Sequence, residues 1–240
     1  MGALDFLHAF ESREAEPDIL QAKWYIMAAV ALGAAHKGQY LPELYQYASR
    51  SATPAQRLLI QRRIKEALVK GAVLYGIPRA GQALGPLFDS LPAEEIDRFA
   101  PRTAAADDAE TRSARSARGK KYFDTLWNPG PAQDMRDRLL HFCPDHYYTE
   151  LRPDLLNVRT IYELWISEDA VLTNVETQMC NTALLTCLDC PTQVLWHTRG
   201  IVRHGGSLEQ ARFAQDLGLA VAKEFGCNTG QIKMVDEIEF

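Results

Sequence analysis

The sequence predicts an all-α protein on three observations. Apolar residues recur at three and four over two long stretches, neither stretch alternates with period two, and few hairpin signals occur anywhere along the 240 residues. The first stretch, Gln56 to Tyr75, places Leu59, Ile60, Ile64, Ala67, Leu68, Ala72 and Val73 on one face and is stopped by Gly76 and Pro78. The second, Leu208 to Phe225, repeats the pattern through Ala211, Ala214, Leu217, Val221 and Ala222 and is stopped by Gly226. With 47 % apolar and 24 % charged residues, the chain can bury one sizeable core or two small ones.

From the N-terminus, Met1 to Phe6 lacks the basic start and long apolar run of a secretory signal. The apolar run from Trp24 to Ala35 is too short for a membrane span, which needs about 20 residues. Within the Gln56–Tyr75 stretch, Glu66 and Lys70 read as an ordinary surface pair four apart. Residues Pro101 to Lys121 carry no large apolar side chain and several Arg and Lys, which predicts a mobile linker or a solvated helix; a basic lid is the functional alternative. An aromatic, turn-rich entry follows through Trp127-Asn128-Pro129-Gly130 and His141 to Tyr148. Such aromatics more often cover a core than contact a ligand.

The most specific stretch is Cys190-Pro191-Thr192-Gln193-Val194-Leu195-Trp196-His197-Thr198-Arg199-Gly200, continued by Ile201 to Gln210. Pro191 suits the first position of a helix, which makes Cys190 or Asp189 the cap. Positions 190, 193, 197, 201 and 204 then share a stripe, so Cys190, Gln193, His197 and His204 look the same way. A thiol at a helix N-terminus is expected to favour the thiolate, and an imidazole can move a proton near neutral pH. Ser207 opens the next helix, with Glu209 and Gln210 in its first turn. Arg199 and Arg203, one turn apart, suit a carboxylate clamp or a wet basic face.

The two long runs also align with each other. Arg62 to Leu68 and on to Gly76 lies over Arg212 to Leu217 and on to Gly226, and Leu44-Tyr45-Gln46 lies over Leu195-Trp196-His197. This predicts two copies of a helical unit, with residues 1–100 a degenerate first copy, 101–121 the linker and 122–240 the copy that keeps the chemistry.

Trp196-His197-Thr198-Arg199-Gly200, with Gly205 eight residues after the histidine and Ser207-Leu208-Glu209-Gln210 beyond, resembles the signature of the carboxymuconolactone decarboxylase family within the AhpD-like superfamily. The resemblance is specific from Val175 to Gly226 and dilute elsewhere, and is of the fungal, tandem-repeat kind that often accompanies secondary metabolism. It implies an AhpD-like all-helical fold, no cofactor and no metal, and a lyase or isomerase acting by acid/base chemistry on a small oxygenated substrate, with decarboxylation, isomerisation or cyclisation as the outcome. His197 would be the general acid or base, Arg199 or Arg203 would hold a carboxylate or enolate, and Gln178 and Gln193 would orient ring or substrate. Trp196, His204, Tyr147, Tyr148 and Trp165 complete the implied substrate-binding set, with Tyr162 a further candidate, and single-copy relatives imply a homo-oligomer.

The redox branch of that superfamily carries Cys-x-x-Cys with three residues between its second cysteine and the histidine. Here Gln193 stands in the second slot, Gln178 stands where that branch has a glutamate, and Glu176 lies on another face. Two alternatives to the lyase therefore stay open: a thiol peroxidase or reductase using Cys190 with Cys187, and a non-catalytic binding or assembly protein. Cys180, Cys187 and Cys227 read as small buried hydrophobes. A net charge of −5 gives no argument for nucleic acid or an anionic membrane, and five cysteines without a secreted framework's spacing predict a reduced, cytoplasmic setting.

Overall fold

In the computed structural model, residues 2–105, 107–142 and 155–240 are described, and among them there is no strand. The helices are α1 (Leu7–Glu14), α2 (Trp24–Ala34), α3 (Leu41–Ala48), α4 (Pro54–Tyr75), α5 (Ile77–Asp89), α6 (Pro101–Ala104), α7 (Ala109–Trp127), α8 (Pro129–Phe142), a π-helical segment (Leu155–Ile166), α9 (Asn174–Thr186), α10 (Pro191–Arg203) and α11 (Leu208–Phe225). The chain is all-α, as its periodicity predicts. No helix among the described residues is long and apolar enough to cross a membrane.

Two compact units divide the chain, and their boundaries are not those of the expected copies. Met1–Phe99 and Val175–Phe240 make one unit, and Ala100–Asn174 makes the other.

In the first unit three helix starts are capped by side chains. Thr53 accepts from the Gln56 amide (3.3 Å) while the Gln56 side chain accepts from the Thr53 amide (3.0 Å), closing a capping box ahead of Pro54. Ser207 and Gln210 make the same box at α11 (3.1 and 2.9 Å). Helix α2 has no side-chain cap of its own, but the Glu14 carboxylate at the end of α1 accepts from the amides of Lys23 and Trp24 at 2.9–3.0 Å. A negative group there also complements the helix dipole. At the far end of α11, Gly226 takes a left-handed φ of +70°, which a glycine adopts at no steric cost, and turns the chain toward Cys227.

The core of this unit forms around α2, whose eleven residues are all buried. It packs against α4, α11, α3 and α5. Burying side chains such as Trp24, Ile26, Met27 and Leu32 contributes roughly 1.5–3 kcal/mol each. Two buried glutamines then fasten later turns of the chain back to the long helices. Gln61 of α4 donates to the Glu95 carbonyl and accepts from the Asp97 amide, each at 3.0 Å. Gln215 of α11 donates to the Lys233 carbonyl (2.9 Å) and accepts from the Val235 amide (3.0 Å).

In the second unit most of the stretch read as a mobile linker or a solvated helix is wound into helix. Asp108 caps α7 by accepting from the Thr111 amide at 2.7 Å, and the helix continues for nineteen residues to Trp127. Its basic first half is largely solvated, because it offers no large apolar side chain, whereas its second half buries Tyr122, Phe123 and Leu126. Tyr162 of the π-helical segment meets Phe123 edge to face at 4.6 Å, so this aromatic candidate packs in a core. Burial works to raise the Glu168 carboxyl, but the Ala170 amide, which donates to it at 3.1 Å, then Arg118, which pairs with it at 2.9 Å, and Arg102 hold it below the ordinary range.

Candidate functional site

Helix α9 carries the site, because every residue from Glu176 to Thr186 is buried although half of that run is polar. Its faces meet three helices. Glu176 and Thr177 turn to α4, Gln178 and Asn181 to α10, and Ala183 and Thr186 to α11. The approach to α11 is close at Gly218, where an added Cβ would stand 2.9 Å from the Ala183 carbonyl oxygen. Glycine is therefore required at that crossing.

On the α10 side the expected cap and first position are found, with Cys190 as N-cap and Pro191 opening the helix. His197 is buried, and its Nδ1 lies 2.7 Å from Gln178 Oε1. A carbonyl oxygen accepts only, so Nδ1 carries the proton and Nε2 keeps its lone pair. Asn181 Nδ2 also faces Nδ1, at 3.5 Å, too long to reverse that assignment. Burial first, then the charge of His204, pushes the His197 imidazole down to about 4. The ring is neutral near pH 7, with one nitrogen fixed as donor and the other as acceptor.

On the α4 side the same helix closes a charged layer. Arg63 Nη2 pairs with Glu176 Oε1 at 2.8 Å and donates to the Ala22 carbonyl at 2.9 Å, while Arg63 Nε donates to the Tyr25 hydroxyl at 2.7 Å. Lys70 Nζ donates to Thr177 Oγ1 at 2.7 Å. Glu66 and Lys70 are 4 % and 2 % exposed, so they are not the surface pair their spacing suggests. Helix α9, more than a hundred residues away in sequence, covers this face of α4. Sequence reasoning missed Arg63, Lys70, Glu176, Thr177 and Asn181 as a set. The only signal was a row of charges, Arg63, Glu66 and Lys70, at helical spacing beside the apolar stripe.

The other expected site residues divide. Gln178 joins His197 directly. Gln193 and Trp196 are half-buried on α10. Arg199 is half-buried and its Nε donates to the Glu239 carbonyl at 2.8 Å, which gives it a structural partner. Burial, then Arg199, lowers the pKa of Arg203. His204 is half-buried at the C-cap of α10, and burial pushes it down to about 4. Trp165 belongs to the other unit and its ring receives Arg102 at 5.1 Å. Tyr147 and Tyr148 lie outside the described residues.

Cys190 does not behave as the helix dipole suggested. It is half-buried, its Sγ donates to the Leu188 carbonyl at 3.4 Å, and burial together with Asp189 raises its pKa. Neither of two cavities, of about 220 and 330 Å³, is lined by His197. Among the described residues no group of three or more His, Cys, Asp or Glu could hold a metal.

A curated relative now enters beside this geometry. Over 204 residues, 84 % of this chain and 86 % of the relative, the sequence is 27 % identical to a Schizosaccharomyces pombe protein named Peroxisomal protein 2. No protein-family profile and no solved structure matches the chain.

Proposed function

We propose that the protein is a cofactor-independent acid/base enzyme of carboxymuconolactone decarboxylase type, with His197 as its general base. The observation that carries this reading is the buried, neutral imidazole held at Nδ1 by Gln178 at 2.7 Å, which leaves Nε2 free to take a proton. Orientation by a fixed amide replaces the carboxylate that often does this work, so the ring gains direction without gaining basicity. The substrate would be a small carbon acid, a lactone or polyketide-like phenolic, with Arg203, six residues beyond His197, to supply positive charge to an enolate.

The same reading takes the first unit as two fused copies. Supporting it, α4 and α11 share a capping box, a closing glycine and a buried glutamine that fastens a later turn of the chain. The name of the yeast relative favours a peroxisomal location over the cytoplasm. The thiol alternative at Cys190 is the weaker one, since that thiol is held protonated.

The test is deuterium uptake from D2O at the acidic carbon of a panel of γ-lactones, β-keto acids and phenolic polyketides, followed by NMR. The wild-type protein should catalyse exchange on at least one of them, and His197→Gln should lose it by at least a hundredfold. A folded His197→Gln variant that exchanges as well as wild type would end the proposal and favour a binding or assembly role.

A further inference from the structure

Outside the His197 site, the 220 Å³ cavity brings together two thiols forty residues apart in the chain. It is lined by Ala34 and Ala35 at the end of α2, His36, Arg79 of α5, Cys187 to Asp189 and Cys227-Asn228. Cys187 and Cys227 both line it, near enough that each shifts the other's ionisation, and Cys187 Sγ donates to the Gly218 carbonyl at 3.6 Å. Neither is in disulfide linkage. The sequence treated both as core hydrophobes; Cys227 is instead half-buried and faces the cavity.

The cavity's backbone is unusual too. His36 (φ +57°) and Asp189 (φ +55°) are two of the four non-glycine residues with left-handed backbone among those described, and both line it. Such conformations cost of order 1 kcal/mol or more and gather at functional sites. They turn the ends of α2 and of the α9–α10 connection so that the two chain segments face the thiols.

We propose that Cys187 and Cys227 form a peroxide-reactive dithiol, with Cys227 the attacking sulfur and Cys187 the resolving one. It is independent of the His197 reading and uses neither Cys190 nor the α10 stripe. The Cys227 thiolate attacks the terminal oxygen of a small hydroperoxide, forming an S–O bond and breaking the O–O bond. The departing alkoxide takes the Cys187 proton and leaves as an alcohol. The Cys187 thiolate then attacks the Cys227 sulfur, an S–S bond forms, and hydroxide leaves to become water with the proton released when Cys227 ionised. Two thiols supply the two electrons that the peroxide accepts, and an external thiol restores them.

The electrostatics agree with that division of roles. The hydrogen bond from Cys187 stabilises a Cys227 thiolate, burial opposes it, and Lys37 and Arg79 add positive charge; together they bring Cys227 down to about 7. Cys187 is pushed up by the same hydrogen bond and by its burial. Arg79 is itself held in place, since its Nη1 donates to the Ala34 carbonyl at 2.9 Å.

The full-length protein, reduced and desalted, is treated with one equivalent of hydrogen peroxide and digested without reductant. Mass spectrometry should find a Cys187–Cys227 cross-linked peptide that dithiothreitol removes. Cys190→Ser should leave it intact, Cys227→Ser should abolish it, and Cys187→Ser should stop at a Cys227 sulfenic acid that dimedone traps. Before oxidation, Cys227 should react with iodoacetamide at pH 7 roughly tenfold faster than Cys190. A Cys187–Cys190 cross-link in its place, or Cys227 left as a free thiol after the peroxide is consumed, overturns the proposal. The wild-type peptide map decides this without any variant having to fold.

Discussion

Helices α2 and α9 are both buried along their length, yet they are made of opposite materials. Helix α2 reads Trp-Tyr-Ile-Met-Ala-Ala-Val-Ala-Leu-Gly-Ala, and burial there is a direct gain from removing apolar surface from water. Helix α9 buries Glu176, Thr177, Gln178, Asn181 and Thr186, each of which loses water and recovers the loss through a partner. A chain selected for stability alone has no reason to build the second helix this way. Where the two helices differ is where the His197 site and the Arg63–Glu176 layer lie, so the polar burial marks what stability was spent on.

The largest expected effect tests whether that polar layer is held by its pairing. Glu176→Leu should cost about 3–5 kcal/mol in urea unfolding, because it leaves Arg63 charged in the interior without its carboxylate. Leu32→Ala in α2 should cost a similar 2–5 kcal/mol through a cavity. The two helices should then separate in the second step. Arg63→Met combined with Glu176→Leu should regain most of the loss, whereas no second substitution of a polar kind should rescue Leu32→Ala. If Glu176→Leu alone lowers stability by less than about 1 kcal/mol, the layer is not the buried ion pair described here.

A second difference is sensitivity to pH, since α2 holds nothing that titrates near neutrality while α9 faces His197. Its folded pKa, about 4, lies below the ordinary value of 6.5. The unfolded chain therefore binds more protons between these values, so the contribution is complete above about pH 6.5 and is lost as pH falls toward 4. The loss from His197 should be on the order of 3 kcal/mol, with His204 adding in the same direction. Urea midpoints across that window should flatten markedly in His197→Gln. A midpoint as steep in the variant as in the wild type would mean that the imidazole is not buried neutral.

Much of this arrangement was legible where it depends on neighbours in the chain. Pro191 after Cys190, the Ser207–Gln210 box and the stop at Gly226 are set by local backbone chemistry, and α11 spans the run its periodicity indicated. Helix α5 was not read, because Gly76 and Pro78 look like an ending; Pro78 is also well placed to begin the next helix. The polar layer was not legible at all. Glu66 and Lys70 carry the spacing of a solvated pair, and only the arrival of α9 over them decides otherwise. The Cys187–Cys227 cavity fails to announce itself for the same reason, since forty residues and two helices separate its thiols.

Helix starts offer a control in which the comparison should vanish. Thr53→Ala and Ser207→Ala each remove a capping box from a long helix, and each should cost about 1 kcal/mol. Costs that agree would support fused copies that differ in their buried helices and not in their frames. A difference above about 1 kcal/mol, read from the same urea midpoints, would count against that view.

The smallest expected effect has the opposite sign. Thr182 of α9 is fully buried, and its Oγ1 has no hydrogen-bond partner among the described residues. Its own carbonyl is occupied in accepting from Thr186 Oγ1 at 2.9 Å. Valine has nearly the shape of threonine and removes the hydroxyl, so Thr182→Val relieves a desolvation cost without opening a cavity. The expected outcome is a stability unchanged or raised by up to about 1 kcal/mol. In α2 the matching exchange runs the other way: Val30→Thr puts a hydroxyl among apolar neighbours and should lose about 1–3 kcal/mol. Should Thr182→Val instead destabilise by more than about 1 kcal/mol, that hydroxyl has a partner of its own, and the polar face of α9 extends past Asn181.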